Sequence, residues 1–372
     1  MPDSFTPYNI VTDAARDIAD YLWDVETRLL RDLALAVKLG LEVDDWYIQK
    51  AREFIAFHEA ADKYLTDAQR GLIALLAEVV DQVVPLAVAS AAATIKIGPG
   101  RLTEYTQLRL AALADAAKQT LTGLLGDPKR SILRAVDDAY REVTSQTVAG
   151  VITGVETRIQ ATQLAINEYA DRGISQFVAK DGKRWRIDTY AEMTARTTLG
   201  RTALQAAALS YQDWGYELVK VSDSPQECPL CTPWENEVLS LTGERGRVPV
   251  EGNGPHPDGF VNVKAPLWEA ADHGLFHPNC RHSISPYIHG YMKTGTATAE
   301  HDPETYAASQ VQRYYERQAR KWERRAHAAL TDETKAKAYK RRAEYQARIR
   351  DLIDEYPKLR RKKQRETTPF PH

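Results

Sequence analysis

The sequence predicts a mainly α-helical protein with a long N-terminal helical region, a small zinc-stapled α+β domain and basic C-terminal helices. Two observations lead to this fold class. Apolar residues recur at three- and four-residue steps through much of the N-terminal half, which is the spacing of helices with one buried face. All three cysteines of the 372-residue chain fall within two short motifs that also contain histidine. The expected domains are 1–172, 173–290 and 291–372.

The N-terminal domain is predicted to begin with three helices. Asp13 is the expected N-cap of the first helix and Gly40 its expected end, because such residues commonly bound helices. The second helix is expected over 45–64, and the third begins at 66–67, where Thr and Asp offer another cap.

The stretch 72–97 is apolar enough to raise the question of a membrane span. It also contains Glu78, Asp81 and Pro85. Charged groups are costly in lipid, and proline interrupts the hydrogen bonds of a helix. We therefore predict a buried helix pair, broken or kinked at Pro85, and no membrane contact in the assembled particle.

Further helices are expected over 103–125 and from 131 to about 169, after a clear break at 97–101. The long helical segments end at Arg172-Gly173, and short runs typical of strands follow. Two short runs, 176–180 and 183–187, flank an Asp-Gly pair, which indicates a β-hairpin.

The rest of the middle domain is predicted as one helix, one strand and a long loop region. Thr189 and Glu192 form a capping-box pattern for a helix that ends near Trp214. A strand is expected over 217–222. The segment 232–276 is rich in Gly and Pro and is interpreted as loops clamped by a metal ion.

The cysteine and histidine motifs predict a structural zinc site. They read C-x-x-C and H-x-x-C-x-H, separated by 45 residues. Zinc prefers four thiolate or imidazole ligands in a tetrahedron, so three cysteines and one histidine make a closed site without an open catalytic position. His277 is slightly favoured over His282, because H-x-x-C mirrors C-x-x-C. The candidate ligands are Cys228, Cys231, His277, Cys280 and His282.

Charge is distributed unevenly along the chain. The formal net charge is −2, yet residues 311–366 hold 19 Lys and Arg against 9 Asp and Glu. The densest basic run follows Pro357, which should end a helix, so we predict a mobile arm that contacts DNA phosphates or an acidic partner. A solvated helical face is the alternative. The candidate contacts are Arg360, Arg361, Lys362, Lys363 and Arg365.

Enzymatic alternatives find little support in the motifs. No P-loop occurs, and the upstream His-x-Glu or Cys-x-Glu of zinc deaminases is missing. A metal-dependent, HNH-like nuclease or another DNA-processing enzyme is the alternative function. Its candidate residues are Asp272-His273 and Asn279.

A block of about 120 residues in the middle domain contains a series of distinctive segments. They are Asp181-Gly-Lys-Arg-Trp185, Thr189-Tyr-Ala-Glu-Met193 with Arg196-Thr197, Val221-Ser-Asp-Ser224, Glu227-Cys-Pro-Leu-Cys-Thr-Pro-Trp-Glu235 and His277-Pro-Asn-Cys-Arg-His282. In these segments and their order the domain resembles the type-2 minor capsid proteins of tailed phages, a family related to the phage Mu F-type head morphogenesis domain.

The resemblance implies a structural protein of the virion rather than an enzyme. It implies a few copies at the portal vertex inside the phage head, with the host cytoplasm as the place of assembly. The implied partners are the portal protein and the major capsid or scaffold protein. Roles in head assembly, and in DNA packaging or ejection, would follow from that location.

Overall fold

The computed structural model describes most of the chain, and helices dominate it. The described residues are 7–39, 41, 46–95, 102–152, 157–174, 176–178, 184–223, 230–277, 280, 282–292, 294, 302–361 and 363–366. The helices are α1 (Pro7–Lys38), α2 (Trp46–Thr94), α3 (Glu104–Leu125), α4 (Lys129–Ile152), α5 (Arg158–Arg172), α6 (Ile187–Asp213), α7 (Leu267–Asp272), α8 (Pro303–His327) and α9 (Asp332–Glu355). The strands are β1 (Gln176–Val178), β2 (Arg184–Arg186), β3 (Leu218–Val221), β4 (Val238–Ser240), β5 (Gly246–Val250), β6 (Gly259–Pro266) and β7 (Ile284–Pro286).

The chain divides into two compact units, each made of three separate segments. The first unit comprises Met1–Asp17, Ala74–Leu124 and Glu192–Asp302. The second unit comprises Ile18–Ile73, Leu125–Ala191 and Pro303–His372. The sequence-based division into the successive domains 1–172, 173–290 and 291–372 stays a prediction.

The N-terminal helices are longer than the sequence suggested. Helix α1 begins at Pro7, so the expected cap at Asp13 is wrong, and Asp13 instead forms an ion pair with Arg16. The expected boundary at 66–67 is also wrong, because α2 runs through it. The Thr66 hydroxyl donates a hydrogen bond to the Asp62 carbonyl one turn earlier, as threonine does within a helix. Gly40 lies outside the described residues.

Pro85 lies inside α2 and does not end it. Proline removes only one helical hydrogen bond, whereas a stripe of buried side chains continues on both sides of it. The predicted break and helix pair are therefore wrong, although the stretch is largely buried as expected. The buried side chains are Leu72, Leu76, Val79, Val80, Val83, Val84, Ala87 and Ala91.

One helical stretch, Arg52–Thr94, is long and apolar enough to cross a membrane. The core helix of a soluble protein passes the same test of length and composition. The stretch also carries Asp81, which forms an ion pair with Lys118. Length and hydropathy are therefore only weak evidence for a membrane span.

The helix expected over 131–169 is two helices, α4 and α5. A new N-terminus forms at Thr157, whose side chain accepts a hydrogen bond from the Gln160 backbone N–H. The Gln160 side chain accepts one from the Thr157 backbone N–H in return, which completes a capping box. Helix α5 ends at Arg172 and is capped by Gly173, whose positive φ of 86° suits glycine.

The predicted hairpin is confirmed by the antiparallel pairing of β1 with β2, in which Phe177 lies opposite Trp185. The Asp-Gly pair itself lies outside the described residues. Helix α6 begins directly after β2, so Thr189 is inside the helix and the predicted capping box is wrong. Asp188 occupies the first turn instead, where it accepts a hydrogen bond from Arg186.

The segment interpreted as loops contains most of a five-stranded sheet, in the order β5-β6-β4-β3-β7. The predicted strand at 217–222 is confirmed as β3, which pairs antiparallel with both β4 and β7. Strand β6 pairs parallel with β4 and antiparallel with β5. Its side chains alternate between buried and exposed, with Val261, Val263 and Ala265 buried. One face of the sheet packs on Tyr211 of α6, so the expected α+β character is present.

The second unit contains α8 and α9, the predicted C-terminal helices. Its apolar core joins the α1 side chains Leu29 and Leu33 to Val136 of α4 and Ile166 of α5. Ala328, which follows α8, belongs to the same core. The high content of Lys and Arg in this region is therefore compatible with a packed helical tail.

A buried cluster of charges links several elements within the second unit. The Arg186 guanidinium lies 2.8 Å from a Glu26 carboxylate oxygen and 3.0 Å from an Asp188 carboxylate oxygen. The other Glu26 oxygen accepts a hydrogen bond from the Ile174 backbone N–H at 2.9 Å. The two carboxylates are almost fully removed from solvent. Arg186 thus joins α1 to the hairpin and to the start of α6.

The pKa values of Glu26 and Asp188 shift in opposite directions in this environment. Burial raises the pKa of Glu26, despite the positive charge of Arg186. Burial would also raise the pKa of Asp188, but the charges of Arg186, Arg320 and Arg324 lower it to about 2. Removing one member of such a cluster leaves buried charges without compensation, which is strongly destabilising.

We predict that Arg186→Met lowers the free energy of unfolding by about 3–5 kcal/mol, because the buried Glu26 and Asp188 would lose the cation that hydrogen-bonds to both of them. The control is Arg134→Met, at a side chain that is 87% exposed and 4.0 Å from Asp138. This control should cost less than about 1 kcal/mol. Urea unfolding followed by circular dichroism measures both, and equal midpoints for the two variants would contradict the prediction.

Candidate metal centre

The candidate metal centre lies in the first unit, at the end of the sheet where β3 finishes. Cys231 lies in the connection from β3 to β4, whereas Cys280 and His282 lie just before β7. Backbone hydrogen bonds hold the two connections against β3. The Ser222 N–H donates to the Ser283 carbonyl at 2.9 Å, and the Asn236 N–H donates to the Val221 carbonyl at 3.3 Å. The sheet therefore brings together residues that are about fifty positions apart.

Three possible ligand atoms converge at this point. The Sγ atoms of Cys231 and Cys280 are 3.6 Å apart, and the Cys280 Sγ is 3.2 Å from the His282 Nδ1. Ligands around tetrahedral zinc would be separated by about 3.8 Å between two sulfurs and about 3.6 Å between sulfur and nitrogen. The three atoms lie within 4.8 Å of one another, so this group could hold a metal ion.

The environment of the group favours the thiolate form of Cys280. Cys231 is fully buried and His282 is nearly so. The hydrogen bond from Cys231, together with those from His282, lowers the pKa of Cys280 to about 4. A thiolate, not a thiol, is the form that coordinates a metal ion. The surroundings therefore already stabilise negative charge on the Cys280 sulfur.

His282 is held from its other side by Glu235, which is the residue that sequence reasoning missed. The His282 Nε2 forms a short hydrogen bond with a Glu235 carboxylate oxygen. Burial lowers the pKa of His282, but the hydrogen bonds with Cys280 and Glu235 more than offset it and raise the pKa. Glu235 lies 47 positions from His282 and outside both motifs, so spacing alone gave no signal for it.

The structure sorts the five predicted ligands into three groups. Cys231, Cys280 and His282 come together, whereas Cys228 lies outside the described residues. His277 is described and is not a member of the group, although the motif symmetry favoured it. His282 is the histidine that the structure places beside the two sulfurs.

The chemistry of the group could be read in a second way. Cys280, His282 and Glu235 follow one another as do the nucleophile, base and orienting acid of a thiol enzyme. That arrangement gives Cys231 no role, yet its sulfur lies 3.6 Å from the Cys280 sulfur. Two converging sulfurs beside one imidazole nitrogen are the donor set that zinc prefers.

The nuclease alternative gains no geometric support from the described residues. Asp272 and His273 are exposed at the end of α7, and His273 is not part of the Cys/His group. The His273 Nδ1 lies 2.9 Å from the Glu269 carbonyl, a contact within its own helix turn. Asn279 lies outside the described residues.

The basic run near the C-terminus is packed rather than mobile. The helix ends before Pro357, as predicted, but Leu359 is then buried and the Arg360 carbonyl accepts a hydrogen bond from Gln312 of α8. The Arg361 guanidinium pairs with both carboxylate oxygens of the buried Glu366, each at 2.7 Å.

The expectation of a mobile arm is therefore wrong for the described part of this run. The hydrogen bond from Gln312 holds the run against α8, Leu359 is buried, and the Arg361–Glu366 ion pair ties the run to itself. Arg360 and Lys363 remain exposed, Arg365 is half-buried, and Lys362 lies outside the described residues. The predicted contacts of this run with DNA or a partner stay a prediction.

An open groove of about 880 Å³ also lies within the first unit, between α3, α6 and α7. Arg109 and Arg201 lie along it, with Asp272 as the opposing charge. Trp268 is 65% exposed at this groove. Its apolar lining includes Leu113, Leu204, Ala208, Leu241, Leu267 and Trp268.

The relatives of the chain are consistent with the resemblance seen in its motifs. A family model described as phage minor capsid protein 2 matches residues 9–354. A structural protein of Lactococcus phage LL-H is 28% identical over 286 residues, which cover 72% of each protein. A structural protein of Lactococcus phage mv4 is 35% identical over 100 residues, which cover 25% of this chain and 80% of the relative. No solved structure matches. The chain thus belongs to the phage minor capsid protein 2 family and is a structural protein of a phage virion.

Proposed function

We propose that this protein acts at the portal vertex of the phage head, as a binding component in head assembly. The observation that carries this proposal is the match of residues 9–354 to a family of phage minor capsid proteins. The donor atoms of Cys231, Cys280 and His282 lie close together, and Cys228 as a fourth ligand would make a closed structural site without an open catalytic position. Membership of a family of virion structural proteins supports binding as the activity.

The metal at this site is proposed to be zinc, with Cys228, Cys231, Cys280 and His282 as its ligands. Cys228 completes the C-x-x-C motif with Cys231. A zinc ion here would tie the connection after β3 to the residues before β7, and its binding would add directly to the folding free energy. Under this proposal the protein turns over no substrate.

The groove in the first unit is the surface that we assign to the portal protein. Its apolar lining and the exposed Trp268 suit an apolar segment of a partner. Two guanidinium groups, of Arg109 and Arg201, face one carboxylate, of Asp272, so acidic residues on that segment would be favoured. Contacts with the major capsid or scaffold protein would use other surfaces.

Contact with packaged DNA is a further part of this proposal. Arg360 and Lys363 are exposed on the packed basic run, and neutralising phosphates releases counterions from DNA. Arg361 already pairs with Glu366, so the proposal places the contact mainly on Arg360 and Lys363. Involvement in DNA packaging or ejection would act through this surface.

The portal contact is tested by site-specific crosslinking in assembling heads. A photoreactive phenylalanine analogue placed at Ala112, in the groove, should crosslink to the portal protein. The same analogue at Tyr339, an exposed position on α9, is the control and should not. Crosslinks from Ala112 to the major capsid protein alone, or none at all, would reject this location.

The zinc site is tested by metal analysis of the purified protein and its variants. The wild type should contain about one zinc ion per chain, and Cys280→Ser or His282→Ala should lose most of it because each removes a ligand. Loss of zinc should also make 173–290 sensitive to limited proteolysis. His277→Ala is the matched control and should keep the metal. Well-folded wild-type protein without zinc would overturn the proposal.

The DNA contact predicts a change in salt dependence. Replacing Arg360 and Lys363 with Gln should reduce the slope of log affinity against log salt by about 2, at roughly 0.9 per phosphate contact. Replacing the exposed Arg130 and Arg134 of α4 removes the same charge and should leave the slope unchanged. Fluorescence anisotropy with duplex DNA measures both. Equal slopes in all three proteins would exclude this surface.

A further inference from the structure

We infer that Glu235 is the carboxylate that fixes His282 so that its Nδ1 atom, rather than its Nε2 atom, binds the metal. This inference rests on the metal centre proposed above. It adds a residue that lies outside both ligand motifs, and it assigns the ring nitrogen and the tautomer of the histidine ligand.

The contacts of the imidazole ring carry the inference. The Nδ1 atom lies 3.2 Å from the Cys280 sulfur, on the side where the two cysteines converge. The Nε2 atom faces away from them and contacts a Glu235 carboxylate oxygen. A carboxylate can only accept a hydrogen bond, so Nε2 carries the proton that Glu235 accepts, and Nδ1 is the ring nitrogen left to bind a metal, which would displace the proton that Nδ1 shares with the Cys280 sulfur.

The hydrogen bond between His282 and Glu235 is buried, so the Glu235 carboxylate depends on it. The side chains of His282 and Glu235 are 3% and 1% exposed. A buried carboxylate is costly unless strong hydrogen bonds or opposite charges compensate it. A metal-bound imidazole whose N–H points at the carboxylate provides that compensation. In return, the carboxylate makes the ring a more basic ligand and prevents it from rotating.

The local backbone explains how Glu235 reaches this position. A short 3₁₀ turn, Thr232–Trp234, separates it from the ligand Cys231. The next residue, Asn236, has a positive φ of 60°, a conformation that asparagine tolerates better than most residues, and leads into β4. The connection between β3 and β4 therefore supplies both a sulfur ligand, Cys231, and the hydrogen-bond acceptor, Glu235, that orients the histidine before β7.

The first test compares zinc affinities by competition with a chelator. Glu235→Ala should weaken zinc binding by about 10- to 100-fold, as loss of such an outer carboxylate does in other metal sites. Glu235→Gln should lose less, because its amide oxygen can still accept the Nε2 hydrogen bond. Glu237→Gln is the matched control. Glu237 lies two positions after Glu235 and pairs with Lys264, so this variant should bind zinc like the wild type.

The second test needs no variant of Glu235. Nitrogen chemical shifts of ¹⁵N-histidine-labelled, zinc-loaded wild type, assigned with His282→Gln, should show a metal-bound Nδ1 and a protonated Nε2. A metal-bound Nε2, or unchanged zinc affinity in Glu235→Ala, would overturn the inference while leaving the metal centre intact. A wild type that binds no zinc would instead remove the metal centre itself.

Discussion

The position of β3 between β4 and β7 is the constraint on which the candidate site depends. Both neighbours pair antiparallel with β3, so the connection that follows β3 and the residues that precede β7 meet at one end of the sheet. The backbone hydrogen bonds from Ser222 and Asn236 extend this pairing into the connections themselves. Cys231 and Cys280 come within 3.6 Å as a result of strand pairing. Sheet hydrogen bonds therefore contribute to their approach.

A different interaction dominates the second unit, where charged groups rather than sulfur atoms are buried together. Arg186 compensates two carboxylates at once, and the neighbouring Arg324 guanidinium lies over the ring of Trp23, with 4.8 Å between them. Burial lowers the pKa of Arg324 well below its ordinary value, and the charge of Arg186 lowers it further. Charge is thus tolerated in the interior of this unit because opposite charges and an aromatic face are supplied beside it.

The sequence predicted those features that depend on local patterns, and it failed where tertiary packing overrides them. Helical periodicity predicted the mainly α-helical class, and the cysteine spacing predicted Cys231 and Cys280 as neighbours. Pro85 does not break α2 as predicted, because burial on both sides of it outweighs one lost hydrogen bond. Strands β4, β5 and β6 were missed because they are short or carry proline and glycine, and their partners are distant in sequence. Glu235 could not have been found from motifs, since only the sheet brings it to His282.

Asn236 shows how the sheet contributes to the order of the candidate site. A left-handed conformation costs free energy for most residues, and here the Asn236 N–H is bonded to β3 and the side chain is 5% exposed. The turn between Cys231 and β4 is therefore ordered by the folding of the sheet. The entropy of ordering that loop is lost on folding and need not be lost again when a ligand binds. In thermodynamic terms, the affinity of the site for a metal benefits from preorganisation that the strands provide.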